Sequence, residues 1–316
     1  MKFLKTYLLH RLKLGTSLLF LIIILLSASC TDKDYRGNHK LLIVTTTGMI
    51  ADAVKNITGD SAKVIPLMGP GVDPHLYKAT HGDLQKLMQA DLIIYNGLHL
   101  EGKMAEVLHK LSGQKKVVAV SDGLSAEKLI RSDEFDGTFD PHIWFDVSIW
   151  SKSLNHIALE IQKLDPANAG FYQSNTITYQ KELEILDAWI KSEISSIPEP
   201  QRLLVTAHDA FGYFGRAYNI EVRGLQGLST ATDFGLNDIT QLVNLLISRN
   251  IKAIFVESSV SPKAIDAVIQ GANKKGHQVV NGGTLYSDAM GEEGSPEGTY
   301  IGMVRANVST IMEGLK

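Results

Sequence analysis

The chain has 316 residues, of which 44% are hydrophobic and 21% are charged, a composition typical of a globular protein with a substantial core. Its formal net charge is −3, and its Lys and Arg residues are scattered along the chain instead of forming one basic stripe. We therefore do not expect nucleic acid as a partner.

The first thirty residues have the pattern of a secretory signal. Several basic residues precede the apolar run "LGTSLLFLIIILLSAS", which stops at Cys30. A charged segment, an apolar segment and small residues in this order are typical of a cleaved signal, and the run is shorter than the ~20 residues of a membrane span. We predict a signal peptide over residues 1–30 and a tether over 31–39. A plain transmembrane anchor is the alternative.

Cys30 is the only cysteine, so the chain forms no internal disulfide. The segment "LLSASC" resembles the lipobox of bacterial lipoproteins, in which the cysteine becomes the lipidated N-terminus. Here Leu26 stands four residues before Cys30, whereas the common pattern has leucine three residues before. The resemblance implies a mature protein that begins near Cys30, is anchored by lipid to a membrane, and faces the periplasm or the cell exterior. An unmodified cysteine is the alternative.

After residue 39, short β-rich runs alternate with helical segments. In the first half the predicted strands cover residues 40–47, 62–68, 91–97 and 115–122. Helix-like apolar spacing separates these strands at residues 49–59, 81–90 and 103–113. This alternation predicts a parallel sheet with helices on both faces.

The second half repeats the pattern after a long helix. Its predicted strands cover residues 201–209, 220–227, 251–258 and 276–283, and its predicted helices cover 236–250 and 261–275. Residues 171–198 contain no Gly and no internal Pro, and their apolar residues have helical spacing. We predict two Rossmann-like α/β lobes, an N-terminal one over 40–170 and a C-terminal one over 199–316, joined by a rigid helix over 171–198. A helical connection is expected to limit the lobes to modest relative motion.

The tripeptide Asp-Pro-His occurs twice, as Asp73-Pro74-His75 and as Asp140-Pro141-His142. The first copy follows a predicted strand, and ligands of open α/β sheets bind outside the carboxyl ends of the strands. Proline fixes its own φ angle and restricts the residue before it, so the histidine that follows projects from a rigid loop. Both copies are candidate binding loops.

Two further candidates lie at strand ends in the second half. His208 ends the predicted strand 201–209, and Asp288 follows the last predicted strand. Together with His75 and His142 they make a candidate set of three imidazoles and one carboxylate. The other histidines are interpreted as structural or solvated, apart from His10 in the signal: His39, His81, His99, His109, His156 and His277.

Seven segments in chain order resemble one known family, the cluster A-I substrate-binding lipoproteins of bacterial ABC transporters for zinc and manganese. They are "GPGVDPHLYKAT", "ADLIIYNGLHLEG", "DPHIWFDV", "VTAHDAFGYFGRAYNI", "GLSTATDFGLNDI", "IFVESSVSP" and "LYSDAMG". The resemblance covers nearly all of the chain after Cys30. It implies that one metal ion binds between two lobes through His75, His142, His208 and Asp288.

The resemblance also implies partners and cargo. The cargo would be Zn²⁺ or Mn²⁺, and the partners would be a membrane ABC permease with its ATPase and, through the lipid, the membrane itself. We expect a monomer that is not an enzyme. Glu257, which belongs to the family pattern, is interpreted as a structural hydrogen-bonding residue near the cleft. The long His- and acid-rich loop of many zinc binders is replaced here by the short "RSDEFDGTFD".

Two other functions remain open at this point. A zinc hydrolase would use three histidines and keep one coordination position for water, so Asp288 would not ligate. A siderophore- or corrinoid-binding protein would share the architecture but would need a broad cleft lined with aromatic and Arg side chains. We further expect neighbouring groups to orient each imidazole through its second ring nitrogen, and Asp73, Asp140 and Asp209 are adjacent candidates for this role. Metal affinity is expected to fall as the pH drops through the range near ~6.5.

Overall fold

The computed structural model describes residues 40–132, 137–232 and 234–316. The predicted signal, Cys30, the tether, and residues 133–136 of the short loop lie outside these ranges. Residues Lys40–Lys316 form one compact unit. Among the helices described, none combines the length and the apolar character that crossing a membrane requires.

Strands and helices alternate along the described chain. The strands are β1 (Leu41–Thr45), β2 (Ala62–Pro66), β3 (Leu92–Tyr95), β4 (Val117–Ala119), β5 (Leu203–His208), β6 (Glu221–Gln226), β7 (Ala253–Glu257) and β8 (Val280–Leu285). The helices are α1 (Gly48–Thr58), α2 (His81–Gln89), α3 (Ala105–Ser112), α4 (Val147–Leu164), α5 (Ala169–Ser195), α6 (Gly212–Tyr218), α7 (Leu236–Ser248), α8 (Lys263–Lys274) and α9 (Tyr300–Leu315).

The first lobe contains a four-stranded parallel sheet in the order β2-β1-β3-β4. Alternate residues of its central strands point to opposite faces, as the strand repeat requires. Ile43 of β1 packs into the core formed with α1 and α4, whereas Val44 packs with Leu87 of α2 and Leu108 of α3. The predicted parallel sheet with helices on both faces is confirmed.

The second lobe is built from two parallel strand pairs, β5–β6 and β7–β8. Strands β5 and β7 lie beside each other. Leu203 and Ile254 pack with α7 and α8, while Leu204 and Phe255 belong to the core that also contains β1, α4, α5 and α9. The two lobes therefore share one apolar core.

The long helix α5 spans Ala169–Ser195, slightly earlier than the predicted 171–198. Its buried residues recur every three or four positions, from Tyr172 to Ile194. Beyond its end, the Arg202 guanidinium donates hydrogen bonds to the carbonyl oxygens of Ser195 and Ile197. The carbonyl group of Ser195 is one that has no partner within the helix. The helix stops before Pro198 because proline disfavours helical backbone at the residue that precedes it.

The short helix α6 is absent from the sequence prediction because it contains two glycines, which weaken a helical pattern. Gly215 is nevertheless required by packing, since a Cβ atom there would lie 2.8 Å from the carbonyl oxygen of Ile220. The helix follows His208 closely and presents Tyr213 to the Asp140 loop of the first lobe.

Candidate metal centre

Four buried side chains from four separate segments meet between the lobes. His75, His142, His208 and Asp288 each offer one ligand atom, and these atoms lie within 4.8 Å of one another. The Nε2 atoms of His75 and His142 are 3.3 Å apart. The carboxylate of Asp288 lies 3.5 Å from His75 Nε2, 3.6 Å from His142 Nε2 and 3.3 Å from His208 Nε2. The structure thus brings all four candidate residues together.

Each residue reaches the cluster from the end of a regular element. His75 lies in the loop after β2, and His142 immediately precedes a short turn of 3₁₀-helix at Ile143–Phe145. His208 is the last residue of β5, and Asp288 follows β8. The carboxyl ends of the strands therefore supply three of the four side chains, in agreement with the general position of ligand sites in α/β sheets.

The two Asp-Pro-His segments form the same local turn. Asp73 Oδ1 accepts a 2.8 Å hydrogen bond from the backbone N–H of His75, and Asp140 Oδ1 accepts one of 2.9 Å from the backbone N–H of His142. In each turn the carboxylate bonds to the backbone two residues later, and the intervening proline has no N–H to compete. The repeated tripeptide is therefore a way of fixing the histidine backbone.

Two of the imidazoles are oriented by carboxylates on their Nδ1 atoms. The Nδ1 of His142 bonds to Asp140 Oδ1 at 2.7 Å, as predicted. The Nδ1 of His208 lies 2.5 Å from Glu257 Oε2, and Glu257 Oε1 accepts a 2.8 Å hydrogen bond from the His208 backbone N–H. The carboxylate at Nδ1 of His208 thus belongs to Glu257, whereas the candidate adjacent in sequence is Asp209. These contacts direct both Nε2 atoms toward the cluster.

Asp73 has a different role from the one predicted. Its Oδ1 atom holds the backbone of His75, and its Oδ2 atom accepts a 2.6 Å hydrogen bond from the hydroxyl of Thr230 in the second lobe. Thr230 lies within "GLSTATDFGLNDI", and nothing in that segment by itself marks it as a partner of Asp73. Asp73 thus connects a cluster residue of one lobe to a loop of the other.

Other buried contacts hold the His142 loop between the lobes. The Tyr213 hydroxyl donates to the carbonyl oxygen of Asp140 at 3.0 Å, and Trp144 Nε1 donates to the carbonyl oxygen of Ser287 at 3.1 Å. The hydroxyl of Tyr300 donates to the carbonyl oxygen of Trp144 at 2.6 Å. Because Ser287 precedes Asp288, the Trp144 contact links the backbones that carry two members of the cluster.

The surroundings shift the acid–base properties of the cluster. Burial lowers the pKa of His75 to about 3, although the Asp288 carboxylate opposes this shift. Burial also acts to lower the pKa of His208, but the carboxylates of Glu257 and Asp288 outweigh it and leave that pKa well above the usual value. Burial acts to raise the pKa of Asp288, yet His208 dominates and holds it well below the usual range. In the metal-free protein at neutral pH, His75 is neutral, His208 carries a proton and Asp288 is ionised.

The donor set suits a divalent transition metal. Three imidazole nitrogens match zinc, copper, iron or nickel, and the carboxylate adds the type of oxygen donor that manganese prefers. Three neutral imidazoles and one carboxylate leave a net charge of about +1 around a divalent ion. Since Asp288 lies at similar distances from all three imidazoles, it is placed to serve as a fourth donor.

Residues 43–314 match the family described as zinc-uptake complex component A, periplasmic. The chain belongs to this family. The manganese-binding lipoprotein MntA of Bacillus subtilis (strain 168) is 52% identical over 280 residues, which cover 89% of this chain and 91% of that protein. The zinc-binding protein TroA of Treponema pallidum (strain Nichols) is 48% identical over 283 residues, which cover 90% of this chain and 91% of that protein.

The fold of this family member agrees with a solved structure. The periplasmic zinc-binding protein TroA from Treponema pallidum superimposes with a TM-score of 0.85 at 49% sequence identity, covering 88% of this chain and 99% of that one. The family match spans all four cluster residues, whereas Cys30 lies before it. The expected resemblance to metal-binding components of ABC transporters is therefore confirmed at the level of the family.

Proposed function

We propose that this protein is an extracytoplasmic receptor that captures one Zn²⁺ or Mn²⁺ ion between its lobes and delivers it to an ABC permease and its ATPase for uptake. The observation that carries the proposal is the convergence of His75, His142, His208 and Asp288, whose ligand atoms lie within 4.8 Å of one another in a buried position. Burial of so many polar groups is unfavourable unless they gain a partner, and a metal ion would be that partner.

The position of Asp288 favours capture over catalysis. A hydrolytic zinc site keeps a coordination position for water beside three protein ligands. Here the Asp288 carboxylate lies 3.3 to 3.6 Å from the three Nε2 atoms, so a metal ion at the centre would have four protein donors. We therefore infer that the protein is a binding protein and not an enzyme.

The donors also favour a bare ion over an organic ligand. A siderophore or a corrinoid would need a wide cleft with aromatic and Arg side chains facing it. In this structure the centre between the lobes is closed, since His142 and His208 are 0% exposed and Asp288 is 1% exposed. A single ion is the cargo that this space accommodates.

The donor set and the relatives point to two metals. By the Irving–Williams order, three histidines and one aspartate bind zinc more tightly than manganese. Of the two relatives described above, one is a manganese-binding and the other a zinc-binding protein. Because availability and geometry also select the cargo in cells, the proposal includes both ions.

The proposal for location rests on the sequence. A signal peptide over 1–30 and a lipid on Cys30 would place the receptor at a membrane, facing the periplasm or the cell exterior. Lobes over 40–170 and 199–316 with a linking helix over 171–198 would then act as a monomer at the permease. The lipoprotein MntA of Bacillus subtilis supports the anchor.

A competition titration tests the proposal. The chain from residue 31, stripped of metal, is titrated with Zn²⁺ and separately with Mn²⁺ against a chelator of known affinity, and bound metal is counted by elemental analysis. We expect one tightly held ion per chain and a higher affinity for Zn²⁺. Binding of neither ion would refute the proposed function.

A further inference from the structure

One imidazole of the cluster, that of His75, borders a cavity. A cavity of about 350 Å³ is lined by His75 and His99 of the first lobe and by Leu228 and Ser229 of the second. Since the other two cluster histidines are fully buried, His75 is the imidazole that an ion arriving through this cavity meets. His99, which the sequence analysis interprets as structural or solvated, is exposed at the same cavity.

The backbone that presents His99 has an unusual conformation. Gly97, Leu98 and His99 have φ angles of 84°, 54° and 65°, so three consecutive residues occupy the left-handed region. Residues other than glycine rarely adopt this region. Non-glycine residues keep this conformation where the surrounding structure fixes them, frequently at functional sites. Glycine is required at position 97, because a Cβ atom there would collide with Ser121 Oγ.

Buried groups fix this turn. Glu101, which is 2% exposed, accepts hydrogen bonds from the backbone N–H groups of Asn96 at 2.7 Å and Gly97 at 3.3 Å, and from the hydroxyl of Thr46 at 2.7 Å. The Asn96 amide donates to the carbonyl oxygen of Pro141 at 2.9 Å. The turn that carries His99 is thus bonded to the loop that carries His142.

The same turn lies against the His75 loop. A Cβ atom built on Gly102 would lie 3.6 Å from the carbonyl oxygen of His99 and 4.0 Å from that of His75, so the two histidine backbones flank one glycine. The backbones of His99 and His75 are therefore close together, and both residues line the same cavity.

We propose that His99 is a capture ligand, which binds the incoming metal ion at the mouth of this cavity and transfers it to His75; this rests on the proposed function. Imidazole is the commonest metal ligand of proteins, and an exposed imidazole beside a buried one lets the ion exchange its water molecules in steps. A residue that acts only on the path accelerates arrival and departure equally, so it changes rates without changing the affinity.

A second cavity that reaches the cluster offers an ion no imidazole on its way. It has a volume of about 200 Å³ and is lined by Asp288, but also by Met68, Met290 and Lys55. The ammonium group of Lys55 repels a divalent ion, although Glu293 pairs with it at 3.0 Å. Its other acidic lining residues are Asp52 and Glu293, and the Asp52 carboxylate already accepts hydrogen bonds from the Tyr179 hydroxyl and the Tyr300 backbone N–H. The cavity contains no histidine, so an ion that passes through it meets no imidazole before the cluster.

The variant His99→Asn tests the inference, because asparagine tolerates the left-handed conformation but does not offer an imidazole. The metal-stripped chain from residue 31 is mixed with Zn²⁺ in a stopped-flow instrument, with the fluorescence of Trp144 as the signal, since its ring lies 5.3 Å from that of His142. Dissociation is measured separately by adding a chelator. We expect both rate constants to fall by about threefold or more, with Kd unchanged.

His109→Asn is the matched control. His109 is an exposed residue of the same lobe. It lines a neighbouring cavity, to which His99 also contributes, but it does not line the cavity that borders His75. Wild-type rates in His99→Asn, or a weaker Kd with an unchanged association rate, would overturn the inference and leave the proposed function intact. Absence of Zn²⁺ binding in the wild type would overturn both.

Discussion

The hydroxyl of Thr230 donates a 2.6 Å hydrogen bond to Asp73 Oδ2, while Asp73 Oδ1 holds the backbone N–H of His75. One carboxylate therefore connects the second lobe to a member of the cluster in the first. This contact lies beside the cavity that borders His75, where Ser229, the neighbour of Thr230, contributes to the lining. The same carboxylate thus contributes to the contact between the lobes and fixes the backbone of His75.

The variant Thr230→Val is expected to speed the release of metal. It keeps the shape of the side chain but removes the donor, and a hydrogen bond to a charged acceptor contributes about 1.5–3 kcal/mol, which corresponds to a dissociation rate about tenfold or more higher. Chelator-induced release measured by stopped flow checks this. Thr240→Val on α7, whose hydroxyl bonds to the carbonyl oxygen of Leu236, should release metal at the wild-type rate.

The variants His75→Ala and His142→Ala are expected to lose metal affinity by orders of magnitude without unfolding. Each removes one donor from the cluster, and neither residue contributes to the apolar cores of the two lobes. Competition titration measures the affinity, and circular dichroism with thermal unfolding measures the fold. His81→Ala on α2 is the control, since His81 is exposed and pairs with Gln85. Wild-type affinity in both cluster variants would show that the site assignment is wrong.

The sequence predicts the alternation of strands and helices and the residues of the cluster. It predicts less well the contacts that hold the cluster residues in place. The eight strands follow from short runs that each contain Val or Ile, and His208 and Asp288 attract notice because they stand at or beyond strand ends. The Asp140 contact with His142 is also predictable, because the two residues belong to one turn. In each case the relevant information lies within a few residues.

Contacts between distant segments could not be predicted in this way. Asp209 follows His208 in the chain, but successive side chains of a strand point in opposite directions. The partner of His208 is instead Glu257 of β7, which becomes its neighbour only because β5 and β7 lie side by side. For the same reason the sequence does not reveal that Thr230 reaches Asp73 or that His99 faces the cavity beside His75.

The pH dependence of metal binding is expected to reflect a proton on His208 and none on His75. Burial holds the pKa of His75 at about 3, so His75 is already neutral above about pH 5. His208 has a raised pKa and carries a proton below it, and metal must displace that proton. Because of the His208 proton, affinity should rise at least about tenfold per pH unit between about pH 5.5 and about pH 7.5, until the pH passes the pKa of His208.

Titrations with Zn²⁺ at several pH values, each referred to a chelator with known proton competition, measure this slope. A slope near three protons would mean that all the imidazoles are protonated in the metal-free protein. A flat profile would mean that His208 is already neutral. Either result would contradict the assignment of charges within the cluster.

The variant Glu257→Gln is expected to reduce the number of protons that metal binding releases. The glutamine oxygen can still accept the hydrogen bond from the His208 backbone N–H, which Glu257 Oε1 accepts at 2.8 Å. Its amide nitrogen would face Nδ1 of His208 as a donor, so the neutral ring would carry its proton on Nε2, the atom that faces Asp288. Loss of the carboxylate also removes the largest influence that opposes burial, so the pKa of His208 should fall.

Calorimetric titration with Zn²⁺ in buffers of different ionisation enthalpy counts these protons. At neutral pH the wild type should release about one proton per ion and Glu257→Gln fewer, with an affinity about 10- to 100-fold lower, because a group that orients a ligand imidazole has been altered. Glu160→Gln is the control, since Glu160 is a buried carboxylate that pairs with Lys116 and Lys163 instead of a cluster residue. An unchanged proton count in Glu257→Gln would show that Glu257 does not hold the proton on His208, even if the affinity fell.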